Sequence, residues 1–219
     1  MDSTLVDTFT LIVASYSHAV AACFPKGLNA DAIINLPNYT LDEALARTVP
    51  ADQVALASSR YHEYFMRHFD RRTRTYPGIR KLLASLQRAG VTLAVFTGAS
   101  RKSAEIALHR SGLAPFFDAI VTADDVSQTK PDPQGLELVM DAVGAPKGKT
   151  VYVGDDPNDI VASRRAGIQG AAALWGSRKR DQLRALRPDL LFNDPFDADQ
   201  QLAKAANADT RGLTCVALS

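Results

Sequence analysis

Cysteine is almost lacking from these 219 residues: only Cys23 and Cys215 occur, far apart and with no Cys-x-x-Cys pair. That excludes a thiolate metal site and a disulfide framework, and it reads as two reduced cysteines in a cytoplasmic protein. Long apolar runs are lacking too. The most apolar stretch, near Leu11 to Phe24, contains Ser15, Ser17 and His18, and it is too short and too polar to span a bilayer. No basic segment precedes it, so it does not read as a signal peptide, and no membrane partner is expected. An excess of charge of one sign is also missing. Lys and Arg number 25 against 24 Asp and Glu, a net charge of +1, and the basic residues are spread along the chain. A nucleic-acid binder usually carries a basic stripe, so no nucleic-acid partner is expected. There are no repeats and no low-complexity tract. Nothing here fixes the oligomeric state.

What is present is ordinary globular composition, 46% hydrophobic and 22% charged. The length suits one large domain, or a core carrying a smaller insert. From about Thr8 to Thr75 the patterning is helical only. Leu11 to Cys23 predicts one helix. Val54, Ser58, Tyr61, Phe65 and His68, at steps of three and four, predict another. Pro37 and Pro50 bracket a third over Leu41 to Thr48, and Asn29 or Asp31 could start a short one.

From Tyr76 onward helices alternate with short β-prone runs. Ile79, Leu82, Leu83 and Leu86 form one apolar face closed by Gly90. The runs Val91–Phe96, Ala119–Thr122, Thr150–Val153, Gly170–Leu174 and Leu190–Phe192 predict strands. Helices are expected at Lys102–Ser111, around Leu136 to Val143, and at Asn158–Ala166. The alternation predicts an α/β fold, a parallel sheet covered by helices on both faces. The tail from Asn207 has no clear pattern and is expected to be loose.

In such sheets ligands sit beyond the carboxyl ends of the strands. Three segments there carry suitable polar groups. Gly154-Asp155-Asp156-Pro157-Asn158-Asp159 crowds carboxylates that repel one another, which a divalent cation with oxygen ligands would relieve; the alternative is that Asp155 or Asp156 caps the next helix. Lys130, in Lys130-Pro131-Asp132-Pro133, is either a solvated charge or a fixed charge on a phosphoryl group. Thr97-Gly98-Ala99-Ser100 is either an ordinary turn with Ser100 as a cap or an anion cradle built from the Thr97 hydroxyl and the Gly98 amide.

Together, and in this order, Val95-Phe96-Thr97-Gly98, the Lys130 segment and the Asp155 segment resemble the second, third and fourth motifs of the haloacid dehalogenase superfamily of phosphohydrolases. Met1-Asp2-Ser3-Thr4-Leu5-Val6-Asp7 is similar to most of the first, DxDxT. The resemblance runs from Met1 to about Trp175, and Gly112 to Pro133 is similar to the phosphoglycolate phosphatase-like branch. It implies a Rossmann-like parallel sheet core over residues 1–10 and 74–206, an inserted α-helical cap over 11–73, and a tail over 207–219. Substrate-facing cap residues are expected within Asn29 to Pro50.

The resemblance further implies a magnesium-dependent phosphatase acting on a small phosphorylated metabolite through an aspartyl-phosphate. Asp2 would be the acid, then the base. Thr97, Gly98 and Lys130 would bind the phosphoryl group. Magnesium would be held by the first Asp of DxDxT, the Asp2 backbone carbonyl and Asp155, with Asp156 and Asp159 supporting its waters. The dehalogenase branch has no acid–base Asp at the Asp2 position, which favours phosphoryl chemistry. The first Asp of DxDxT, the nucleophile, would fall just before residue 1, as would the apolar strand leading to it. The neighbouring strands are then expected to keep unpaired backbone groups, and residues 1–219 alone to be inactive. Either the start was assigned at an internal methionine, or this is a short product. The competing class is a non-catalytic protein that binds metal or a partner; a phosphomutase on the same fold is a third.

Other polar residues receive bland readings. His18, His62, His68 and His109 are structural or surface groups, Arg101 a helix-start surface residue, Asp7 an anchor of the hinge into the cap, and Trp175 packing at its strand end.

Overall fold

A computed structural model describes residues 1–24, 40–206 and 213–219. The helix start expected at Asn29 or Asp31, and the cap stretch up to residue 39, lie outside the described residues.

The sheet has six strands in the order β4-β3-β8-β5-β6-β7. They are β3 (Thr92–Phe96), β4 (Ala119–Val121), β5 (Thr150–Gly154), β6 (Gln169–Ala173), β7 (Leu190–Phe192) and β8 (Cys215–Leu218), and every pair is parallel. The two-residue period of a strand sorts the side chains onto the two faces. Leu93, Val95, Val151, Val153, Val216 and Leu218 join one core cluster. Ala94, Phe96, Tyr152 and Ala217 join the other, with Leu136, Val139 and Met140. Burial on both faces accounts for the continuous apolar runs.

The expected helices form close to their predicted bounds. Ile79–Arg88 buries Ile79, Leu82, Leu83 and Leu86. The left-handed backbone that ends it falls at Gly90, with φ +74°. The helical region holds α1 (Phe9–Val20), α2 (Leu41–Ala46) and α3 (Val54–Arg72). α1 packs closely along α3, burying Leu11, Tyr16 and Ala19 against a cluster that includes Tyr61, Phe65 and Phe69. Thr40 and Glu43 start α2 with a reciprocal capping box. The chain enters and leaves this region through a two-stranded ribbon of β1 (Val6–Asp7) and β2 (Arg74–Thr75), in which Val6 pairs with Thr75 and Asp7 with Arg74. Among the described residues no helix is long and apolar enough to cross a membrane.

One expectation is corrected. The end of the chain is not loose: Cys215–Leu218 is a fully buried strand in the middle of the sheet. Val216 is partnered by Leu93 on one side and Val151 on the other, so the strands flanking that place are not left unpaired. The physical reason is that Cys-Val-Ala-Leu is β-prone and apolar on both faces, and a central slot offers two ladders of hydrogen bonds. Residues 207–212 lie outside the described residues.

Candidate active site

The carboxyl ends of β3, β5 and β8 open into a cavity of about 360 Å³, which α1, α2 and α3 close from the other side. Asp2, Thr97, Gly98, Lys130, Asp155 and Asp159 all line it, so every residue singled out from the sequence reaches one place.

Asp2 stands on a tight loop. The Leu5 and Val6 amides both donate to the Met1 carbonyl, and Ser3 takes a left-handed backbone at φ 57°. The Thr8 hydroxyl donates to Asp2 Oδ1 at 2.6 Å and fixes the carboxylate. Two neighbours pin the loop from outside. The Thr4 hydroxyl donates to Asp155 Oδ1 at 2.8 Å, and Trp175 donates its indole N–H to the Thr4 carbonyl, also at 2.8 Å. Next to Trp175, a Cβ on Gly176 would sit 1.7 Å from the Ser3 carbonyl oxygen, so only glycine admits the loop there. The bland reading of Trp175 missed this anchoring role.

Thr97 follows β3 and is buried, its amide donating to the Val121 carbonyl at 3.0 Å. Its Oγ1 accepts from the Ala99 amide at 3.2 Å, which curls the backbone into a turn. A Cβ at Gly98 would meet nothing within 4 Å, so the space beside this amide is open to a ligand. Ser100 does cap the next helix, Arg101–Arg110, as the alternative reading had it. His62 of α3 ties down the same serine: Nδ1 donates to the Ser58 carbonyl at 2.8 Å, and Nε2 lies 2.9 Å from Ser100 Oγ. Burial lowers the pKa of this imidazole. Arg101 turns away to Asp125 at 2.5 Å.

Lys130 is the charged centre. Its Nζ donates to Asp159 Oδ1 at 2.7 Å, to the Tyr152 hydroxyl at 3.0 Å and to Ser219 Oγ at 2.7 Å. Burial works against its charge, but Asp159 and Tyr152 outweigh that and raise its pKa. Asp159 is buried as well. Desolvation would raise its pKa, yet Lys130 and the Asp156 amide hold it low. Of the two capping candidates Asp156 is the one used: its side chain accepts from the Asn158 amide and pairs with Lys179 at 2.7 Å. Asp155 is left facing the cavity. Burial, then repulsion from Asp159, push its pKa up to about 7.

These groups bear on magnesium as follows. Among the described residues no three His, Cys, Asp or Glu side chains converge as a ready ligand set. Magnesium does not need one, since it is commonly held by one or two carboxylates with water and substrate phosphate. Asp155 fits, as an oxygen donor whose charge burial and Asp159 disfavour and the Thr4 bond and Lys130 only partly offset, and Asp2 shares the cavity with it. Asp159 has both oxygens engaged, by Lys130 and Tyr152 on one side and the Asp156 amide on the other, which suits support and not direct ligation.

Sequence reasoning missed Ser219. It directly follows β8, its hydroxyl accepts from Lys130, and its amide donates to the Val153 carbonyl at 2.9 Å. Its only signal was the apolar run before it.

Known proteins resemble this chain in sequence and in fold. A family model described as haloacid dehalogenase-like hydrolase matches residues 1–173. The pyrophosphatase PpaX of Halalkalibacterium halodurans is 32% identical over 197 residues, covering 90% of this chain and 91% of that protein. A hydrolase from Pseudomonas syringae has a similar structure, with a TM-score of 0.78 and 26% identity over 93% of this chain and 95% of its own. A protein described as a predicted phosphoglycolate phosphatase, from Haemophilus somnus, shares the fold with a TM-score of 0.79 at 21% identity, over 92% of this chain and 94% of its own.

Proposed function

The chain belongs to the haloacid dehalogenase-like hydrolase family, and on that footing we propose that it is a magnesium-dependent phosphatase of a small phosphorylated metabolite. The expected substrate is a phosphate monoester, with phosphoglycolate the reference for the branch it resembles. The observation that carries this reading is convergence. Asp2, Thr97, Gly98, Lys130 and Asp155 come from separate segments to one cavity at the carboxyl edge of a parallel sheet.

In this reading residues 1–10 and 74–206, with β8, are the core, and residues 11–73 are the cap. The Thr97 hydroxyl and the Gly98 amide hold phosphoryl oxygens, and the Lys130 ammonium offsets their charge. Asp2 protonates the leaving oxygen, then takes a proton from the water that completes hydrolysis. Its bond from Thr8 sets the carboxylate's direction. Asp155, with the Asp2 backbone carbonyl, holds magnesium, which when bound neutralises charge on the phosphoryl group. The location is cytoplasmic, with neither a nucleic acid nor a membrane as partner.

The attacking carboxylate of the resemblance stands two positions before Asp2. The reading is therefore tested on two chains, residues 1–219 and the same chain extended upstream by an apolar strand ending in Asp. A second reading, binding without turnover, is favoured by one observation: the residue that follows the central strand β8 and meets Lys130 is a serine, Ser219. The test is magnesium-dependent phosphate release from an aryl phosphate by both chains. Activity in the extended chain alone supports the phosphatase. If both fold and bind magnesium but neither turns over, the binding reading takes its place. Turnover by residues 1–219 alone would overturn the alignment of the first motif.

A further inference from the structure

Besides the phosphoryl-binding groups, the cavity has a mostly apolar wall, with Thr40 and Ser103 as its polar members. Ile12, Tyr16, Leu41, Ala44, Tyr61 and Phe65 of α1, α2 and α3 form it. The polar tips of its tyrosines are turned to the protein. The Tyr16 hydroxyl bonds the Ala44 carbonyl at 2.8 Å and Thr48 at 2.7 Å, and the Tyr61 hydroxyl pairs with Ser103. Both rings are almost fully buried, so what they add to the wall is ring edge and not hydroxyl. Phe65 and Tyr61 stack at 5.8 Å between centroids and back this wall, whose half-buried members are Ile12 and Leu41.

Charge points the same way. Among the described residues lining the cavity the only basic side chain is Lys130, already bound to Asp159, Tyr152 and Ser219 at the phosphoryl end. Asp2, Asp155, Asp156 and Asp159 line the same space. Among the described residues, a second anionic group on a ligand would face apolar side chains, hydroxyls and carboxylates with no second basic side chain to meet it, and an unpaired charge is costly to bury.

We propose that this wall selects a monoester whose alcohol is uncharged and presents an apolar or aromatic face, over phosphoglycolate or pyrophosphate. The inference rests on the reading of the other end as a phosphoryl site and names the substrate class for it. Wall and leaving group meet by apolar contact, where the loss of even one methylene changes discrimination by roughly tenfold or more.

Binding tests it independently of turnover. Phenylphosphonate and phosphonoacetate, which are not hydrolysed, are titrated into the 219-residue chain with magnesium by calorimetry. Phenylphosphonate is expected to bind at least tenfold more tightly. Equal affinities, a reversed order, or no binding of either probe overturn the proposal. Leu41→Arg, at a half-buried position on the wall, is expected to narrow or invert the preference; a preference unchanged in that folded variant also overturns it. Phenylphosphonate selectivity with no phosphatase turnover in any chain would sink the phosphatase reading and leave this one standing. Turnover that favours phosphoglycolate over phenyl phosphate would do the reverse.

Discussion

Lys130 Nζ lies 2.7 Å from Asp159 Oδ1, with the lysine side chain 13% exposed and the aspartate 1%. Neither charge has enough water to stand alone, so each fixes the other. Asp159 also bonds the Asp156 amide and so sets the start of the helix Pro157–Ala166. The ion pair thereby couples a binding group to the architecture beneath it.

Removing the lysine should therefore cost stability as well as phosphoryl binding. Lys130→Met leaves a buried carboxylate unpaired and is expected to lose about 3–5 kcal/mol. Asp159→Asn in the same chain should recover part of that loss. Urea unfolding of the single and double variants checks this, and equal stability of Lys130→Met and wild type would rule the coupling out.

Gly176 should tolerate no side chain. A Cβ there overlaps the Ser3 carbonyl at 1.7 Å, so Gly176→Ala must push the loop that carries Asp2. We expect a loss of about 1–3 kcal/mol, typical of overpacking. Gly148→Ala is the control, since its Cβ would meet nothing within 4 Å. Similar unfolding midpoints for the two variants would refute the packing argument.

β8 should be a stability element of the first rank. Leu218 is 1% exposed, and Leu218→Ala is expected to lose about 2–5 kcal/mol, as for other core leucines. Hydrogen exchange should show the amides of Val216 and Ala217 among the slowest in the chain, and fast exchange there would remove β8 from the sheet. An upstream strand added for the activity test would compete for the slot between Leu93 and Val151. In that extended chain the protection of Val216 should fall.

β8 also marks where the sequence stopped being legible. The other sheet strands announced themselves because each sat in a strand–loop–helix frame with glycine or polar punctuation. Thr150–Gly154 has Gly154 and a carboxylate cluster after it, and Ile79–Arg88 has Gly90. Cys215–Leu218 sits in no such strand–loop–helix frame, so a short apolar run had no context to mark it as a strand. Its pairing is entirely long-range, and local periodicity carries no such information. The candidate site was legible for a related reason: Thr97, Lys130 and Asp155 each follow a strand, and parallel strands bring their carboxyl ends to one edge. The roles of Trp175 and His62 were not, because each depends on a partner remote in sequence, Thr4 and Ser100.

The His62 link makes the contact between α3 and the Ser100 turn pH-dependent. Burial lowers its pKa from the ordinary 6.5, so the fold prefers the neutral ring. The unfolded chain then binds the proton more readily. The stabilisation is complete above about pH 6.5 and is lost as pH falls through the lower folded-state value. Wild type should lose more stability than His62→Gln between pH 7.5 and pH 5. Parallel curves for the two proteins would show that the ring does not titrate in this way.

Asp155 supplies the sharpest separation of structure from binding. Its carboxylate is buried beside Asp159, and its bond from Thr4 needs only an acceptor oxygen. Asp155→Asn keeps that oxygen and removes the repulsion. Without metal the variant should equal or exceed wild type in thermal stability. With millimolar magnesium the order should reverse, because a ligand that binds only the native state raises stability with its concentration, and the variant gives up the carboxylate that holds it. Thermal melts of both proteins with and without magnesium decide the matter. If magnesium stabilises Asp155→Asn as much as wild type, Asp155 does not hold the metal. If the variant is much weaker even without metal, the carboxylate is structural, and the repulsion inferred from its burial is not what sets its environment.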